Sequence, residues 1–120
     1  MYDIKKLHEA GSVGQAIQLL ADHPEARVLA GGSDLLIKLR DGKLGDLELV
    51  SIQGVDELRQ IAVGEDGTLR VGSLCSFSQV AESHLVRKSV NSLPEALLTI
   101  GGPQVRNIGT IGGNVCNGVT

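Results

Sequence analysis

Aromatic side chains are nearly absent: the chain has no Trp, one Tyr and one Phe. Neither Tyr2 nor Phe77 stands in a basic cluster where a base could stack on it. Positive charge is not in excess either, because 11 Lys and Arg face 14 Asp and Glu for a formal net charge of -3. Both features argue against nucleic acid as a partner.

Cysteine is also scarce. Cys75 and Cys116 are too far apart for a CxxC metal or redox motif, and neither has a His or Cys at ligand spacing. Both read as free thiols acting as small core residues. No apolar run approaches the roughly 20 residues of a membrane span, and the opening MYDIKKLHEAGS has no long apolar stretch. The expected setting is a reducing cytoplasm with no membrane contact.

The familiar catalytic patterns are missing. His8, His23 and His84 stand apart from one another and from carboxylates at useful spacing. No Ser–His–Asp order, HExxH or paired-carboxylate pattern occurs. No catalytic side chain and no metal site is expected. The chemistry of the chain points to binding.

What is present is a 120-residue chain with 42% hydrophobic residues. A chain of that length buries roughly two-thirds of its unfolded surface, so one compact unit is the default. Ser12 is placed to cap a helix with Val13, Ala16, Ile17, Leu19 and Leu20 at helical spacing, ended by His23-Pro24. RVLA reads as a buried strand, and LELVSI as a second one followed by a helical turn at VDELRQI. IAVGEDGTLRVGS predicts a hairpin around Asp66-Gly67. SFSQVAES and SLPEALLTI predict helices opened by serine, the second with Pro94 near its first turn. Beyond Ile100 periodicity stops and glycine dominates. Alternating strands and helices with one antiparallel hairpin give the class α/β or α+β.

Two glycine segments carry the functional signal. In AGGSD a strand's end meets a short helix in which Asp34 is the expected cap, Leu35, Leu36 and Leu39 the inner face, and Gly42 the stop. Such a turn points backbone N–H groups and a helix N-terminus at one place, Gly31-Gly32 keep Cβ atoms out of the way, and the Ser33 hydroxyl can donate to a phosphate oxygen. The same glycines also make an ordinary corner. This is neither GxGxxG nor GxxxxGK[ST], so Rossmann and Walker mechanisms do not apply and NTP hydrolysis is not expected. GTIGGN, from Gly109 to Asn114, repeats the chemistry with Thr110, Gly112-Gly113 and an amide side chain, or else is a loose terminal loop. Two such cradles converging on a diphosphate suit a dinucleotide. On this reading Gly32→Val harms binding more than folding. Arg106 either faces an anion or partner or is a plain surface residue.

VLAGGSDLLIKLRDGK, followed later by IGGPQVRNIGTIGGNVCNG with LRVGSLCSFSQV between, resembles the FAD-binding subunits of molybdenum hydroxylases. That family includes bacterial xanthine dehydrogenase and the carbon monoxide dehydrogenase medium chain. The resemblance covers essentially the whole chain and implies a fold of the vanillyl-alcohol-oxidase type, with an N-terminal α/β subdomain and a larger α+β subdomain. It implies that Arg27, Val28, Leu29, Ala30, Gly31, Gly32, Ser33 and Asp34 wrap the FAD diphosphate. Gly109, Thr110, Ile111, Gly112, Gly113 and Asn114 would complete the cradle.

By the same resemblance, a partner subunit with molybdopterin hydroxylates a purine or other N-heterocycle. A second partner with [2Fe-2S] clusters feeds electrons to FAD, and NAD+ is the acceptor. Family members continue beyond the second glycine motif, so residues 1–120 are expected to be the N-terminal part of an FAD-binding domain, inactive by itself. The alternatives are a scaffold fragment without FAD and a generic nucleotide-binding module.

Overall fold

The structure, a computed structural model, describes residues 2–118. Val119 and Thr120, which close the glycine-rich stretch, lie outside the described residues. The chain is mixed α/β, as its alternating patterns predict. It forms two compact units, one ending at Glu57 and the other starting at Leu58, where length alone pointed to a single one.

The first unit is built on a parallel sheet of three strands, β1 (Ile4–Glu9), β2 (Arg27–Leu29) and β3 (Leu47–Ser51), in the order β1-β3-β2. Successive strand residues face opposite sides, and Leu49 and Val50 are both fully buried, so the central strand is covered on both faces. Helix α1 (Val13–Asp22) connects β1 to β2 and packs on β3 with Ala16 buried. Ser12 caps it as expected, its Oγ accepting from the Gln15 N–H at 3.1 Å; such a cap contributes about 1 kcal/mol. Helix α2 (Leu35–Arg40) follows β2, with Leu39 buried and Leu35 and Leu36 half-buried. Its expected cap is absent: Asp34 has αR backbone and makes no side-chain cap bond, and its carboxylate pairs instead with Lys38 at 2.6 Å.

The strand β1 was not legible from sequence. IKKLHE has only Ile4 and Leu7 as large apolar residues, and Leu7 is 49% exposed. Its place comes from parallel pairing with β3 in the register Lys6↔Glu48, Leu7↔Leu49, His8↔Val50 and Glu9↔Ser51.

A 3-10 turn at Asp56–Arg59 leads into the second unit. Strands β4 (Ile61–Val63) and β5 (Leu69–Val71) form the predicted hairpin. Gly67 takes φ +81°, and the Asp66 carboxylate accepts from the Thr68 N–H at 3.0 Å and hydroxyl at 2.8 Å. These two bonds hold Asp66 below the ordinary aspartate range.

Helices α3 (Phe77–Glu82), α4 (His84–Ser89), α5 (Ser92–Leu98), α6 (Pro103–Ile108) and α7 (Ile111–Asn117) complete this unit. Its core joins Cys75, Phe77, Val80, Ala81, Val86 and Leu97, with Ile61, Leu69 and Val71 of the hairpin packed against it. Ser76 caps α3 as expected, accepting from the Gln79 N–H at 3.1 Å. Ser92 does not cap α5; it is the first helical residue, and Asn91 precedes it. The three helices α4, α6 and α7 go beyond the sequence reading. Cys75 is a core thiol whose pKa burial pushes up, against the lowering effects of the Gly72 N–H and the Arg59 charge. Cys116, expected inside, is exposed.

Candidate functional site

The first glycine segment is a connection between β2 and α2 in the first unit. β2 pairs with β3 in the register Arg27↔Leu49, Val28↔Val50 and Leu29↔Ser51. The Leu29 carbonyl accepts from the Ile52 N–H at 3.0 Å, and the Gln53 side-chain amide donates to the Ala30 carbonyl. Acceptors at the strand's end are thereby engaged. Among the described residues the N–H groups of Gly31, Gly32, Ser33 and Asp34 donate to no protein acceptor. Four successive unengaged donors in a half-exposed turn are groups that an anion can take up. The negative charge of Asp34 is offset by its pairing with Lys38.

Gly32 has a second task. Its φ is +74°, and a Cβ there would stand 2.7 Å from Leu36 Cδ1 and 3.0 Å from Leu36 Cγ. The position therefore demands glycine for the fold itself. Gly32→Val is therefore expected to damage folding as well as any binding, where the sequence alone pointed mainly to binding.

The second glycine segment is a helix start, and no loose loop is present there. Thr110 is buried and caps α7, its Oγ1 accepting from the Gly113 N–H at 3.1 Å. Ile111 N–H donates to the Cys75 carbonyl at 3.0 Å and Gly112 N–H to the Ser73 carbonyl at 2.9 Å. The donors at Ile111, Gly112 and Gly113 are thus spent inside the unit, unlike those of the first turn. A Cβ on Gly112 would meet the Ser73 Cβ at 2.7 Å and its carbonyl oxygen at 2.8 Å. The segment is glycine-rich partly because two stretches of backbone meet there. Gly113 and Asn114 are its exposed members.

Arg106 is half-buried and engaged within this unit. Its Nη1 donates to the carbonyls of Leu98 and Ile100, each at 3.2 Å, and of Gly101 at 2.7 Å. These oxygens belong to the end of α5 and the turn after it, which leave carbonyls without helical partners. The guanidinium is a brace for that turn.

One cluster escaped the sequence reading. His8 and His23, taken as separate, have ring centroids 4.1 Å apart in the first unit. His8 Nε2 lies 3.5 Å and His23 Nδ1 3.0 Å from the same Glu48 oxygen, Oε2, while Lys5 lies 3.4 Å from Oε1. β1 supplies His8, the C-terminal cap of α1 supplies His23, and β3 supplies Glu48. Sequence spacing could not reveal it, because the pairing of β1 with β3 and the end of α1 bring the three together from distant positions. Partial burial raises the Glu48 pKa, but the hydrogen bonds from His8 and Lys5 and the nearby positive charges outweigh it, leaving the group below the ordinary range.

Among the described residues, no helix is long and apolar enough to cross a membrane. The family described as FAD binding domain in molybdopterin dehydrogenase matches residues 2–120. A xanthine dehydrogenase FAD-binding subunit of Escherichia coli O157:H7 is 43% identical over the full chain, which spans 41% of that relative's length. The carbon monoxide dehydrogenase medium chain of Hydrogenophaga pseudoflava is 36% identical over 112 residues, covering 92% of this chain and 39% of the relative. A solved structure of carbon monoxide dehydrogenase from the same organism, one lacking the Mo-pyranopterin moiety of the molybdenum cofactor, superposes with a TM-score of 0.92 at 34% identity. That match covers 98% of this chain and 41% of the other.

Proposed function

Because the chain belongs to the family of FAD binding domains in molybdopterin dehydrogenase, we propose that it contributes the diphosphate contacts of an FAD site. The observation that carries this reading is the run of unengaged N–H groups from Gly31 to Asp34. Arg27 to Asp34 hold the diphosphate, the backbone donors taking its oxygens and Ser33 adding a hydroxyl. Gly32 lets the chain turn without a side chain in the way. The second motif, Gly109 to Asn114, is assigned to the cofactor by the same proposal, and Gly113 and Asn114 are its exposed members. Bound FAD supplies the redox chemistry through its isoalloxazine, while the protein supplies position and electrostatics. That division of labour accounts for a site built of backbone donors.

The wider role is part of the same proposal. The chain works within an oxidoreductase complex beside a molybdopterin subunit and a [2Fe-2S] subunit, in the cytoplasm. N-heterocycles of the xanthine class are the substrate, and NAD+ is the acceptor. The support is the similarity to a xanthine dehydrogenase FAD-binding subunit, a nicotinate dehydrogenase FAD-subunit from Eubacterium barkeri at 38% identity, and the medium chain above. Residues 1–120 are read as the N-terminal part of the FAD-binding domain.

Calorimetric titration with FAD, ADP and riboflavin tests the central claim. FAD and ADP are expected to bind and riboflavin, which lacks the diphosphate, to bind far more weakly. Equal affinity for riboflavin, or no binding of FAD or ADP, removes the diphosphate reading and favours a docking role without cofactor.

A further inference from the structure

The cluster of His8, His23 and Glu48 has no task in the reading above, and its atoms are arranged as ligands. We propose that these three side chains bind a divalent transition-metal ion, zinc being the reference case. Three elements of the first unit each deliver one donor: Nε2 of His8, Nδ1 of His23 and a carboxylate oxygen of Glu48, all within 4.8 Å of one another. Zinc bonds of about 2.0–2.1 Å arranged tetrahedrally put neighbouring ligand atoms about 3.3 Å apart. The two separations to Glu48 Oε2, 3.0 Å and 3.5 Å, bracket that value. The two imidazole nitrogens lie within 4.8 Å of each other, so an ion is seated as they draw together beside Glu48 Oε2.

The surroundings suit the same use. On β3, Glu48 and Val50 share a face, and the register His8↔Val50 places His8 on the corresponding face of β1. The His8 side chain is 9% exposed and that of Glu48 19%, so two ligands sit on rigid, mostly covered positions. His23 is 31% exposed and stands at a helix end, leaving a route for the ion and room for a water as fourth ligand. Lys5 contacts the other carboxylate oxygen, so Oε2 is the one left to the imidazoles and the ion. Two imidazoles and one carboxylate favour zinc, cobalt, nickel or copper over magnesium or calcium, which seek oxygen ligands. Binding would tie the end of α1 to β1 and β3 and stabilise the first unit.

Without metal, the same atoms form a hydrogen-bonded cluster, so the two states need an experiment that separates them. The chain, stripped with a chelator, is titrated with Zn2+ alone by calorimetry and with Co2+ by visible absorption. One equivalent of Zn2+ is expected to bind, raising Tm, with Co2+ giving the intense bands of a four-coordinate site. His23→Asn and Glu48→Gln should each weaken binding by more than about tenfold. His23→Asn lies at an exposed helix end, where folding tolerates change. In the unsubstituted chain, the imidazole proton resonances of His8 and His23 should shift with Zn2+ while those of His84 stay put. Absence of saturable binding, undiminished affinity in His23→Asn, or a shift confined to His84 would overturn the proposal.

Discussion

The Gly112 N–H donates to the Ser73 carbonyl at 2.9 Å, and a Cβ on Gly112 would stand 2.7 Å from the Ser73 Cβ. Real side chains do not tolerate such an approach, so the helix α7 can sit where it does only with glycine at this position. Gly112→Ala is expected to destabilise the chain by about 1–3 kcal/mol through overpacking. Urea unfolding of the variant measures this; an unchanged midpoint would mean that α7 moves away from Ser73 at no cost.

The first turn separates binding from folding at Ser33, which Gly32 cannot do. Ser33→Asp adds a negative charge beside the open N–H groups without altering the backbone. FAD affinity is expected to fall at least tenfold, about 1.4 kcal/mol. Stability should change by no more than about 0.5 kcal/mol, as for a surface substitution. Calorimetry and denaturant unfolding on the same sample check both halves. Affinity equal to that of the unsubstituted chain would remove the turn from the diphosphate site.

Arg106 gathers three carbonyl oxygens at the α5–α6 connection. Hydrogen bonds to a charged group contribute about 1.5–3 kcal/mol, so Arg106→Ala should cost roughly that much. Arg106→Lys restores only part of it, because the shorter side chain does not carry its ammonium to the place of Arg106 Nη1, which makes all three bonds. Thermal unfolding ranks the three chains, and an Arg106→Ala chain as stable as the unsubstituted one would refute the bracing role.

The hairpin should loosen in acid. Asp66 is ordinarily near 3.8 and is lowered in the folded chain by the Thr68 N–H and hydroxyl. Its stabilising contribution is present above that value and is lost as pH falls through the lower folded one. Asp66→Asn should flatten this pH dependence below about pH 4. Amide exchange at Gly64, whose N–H donates to the Thr68 carbonyl at 2.9 Å, reports on the turn. A slope at low pH that persists in Asp66→Asn would assign it to other carboxylates.

Local signals were readable wherever a few neighbouring residues decide the outcome. Ser12 and Ser76 cap helices because their hydroxyls reach an N–H three residues on. Asp66-Gly67 makes the hairpin because glycine takes the positive φ there. The glycines of AGGSD signalled a turn for the same reason. Asp34 misled, since a carboxylate four residues before Lys38 finds a charged partner as easily as a helix N–H.

The sequence by itself determined the mixed α/β class, the hairpin, the helices capped by Ser12 and Ser76 and the two glycine segments, since these rest on short-range geometry. Tertiary structure alone decided that the polar β1 is a strand, because β3 supplies its hydrogen-bond partners. It also decided that the donors around Gly112 are spent internally while those around Gly32 are open. The meeting of His8, His23 and Glu48 is of the same kind: parallel pairing of β1 with β3 and the end of α1 join residues that no spacing rule connects.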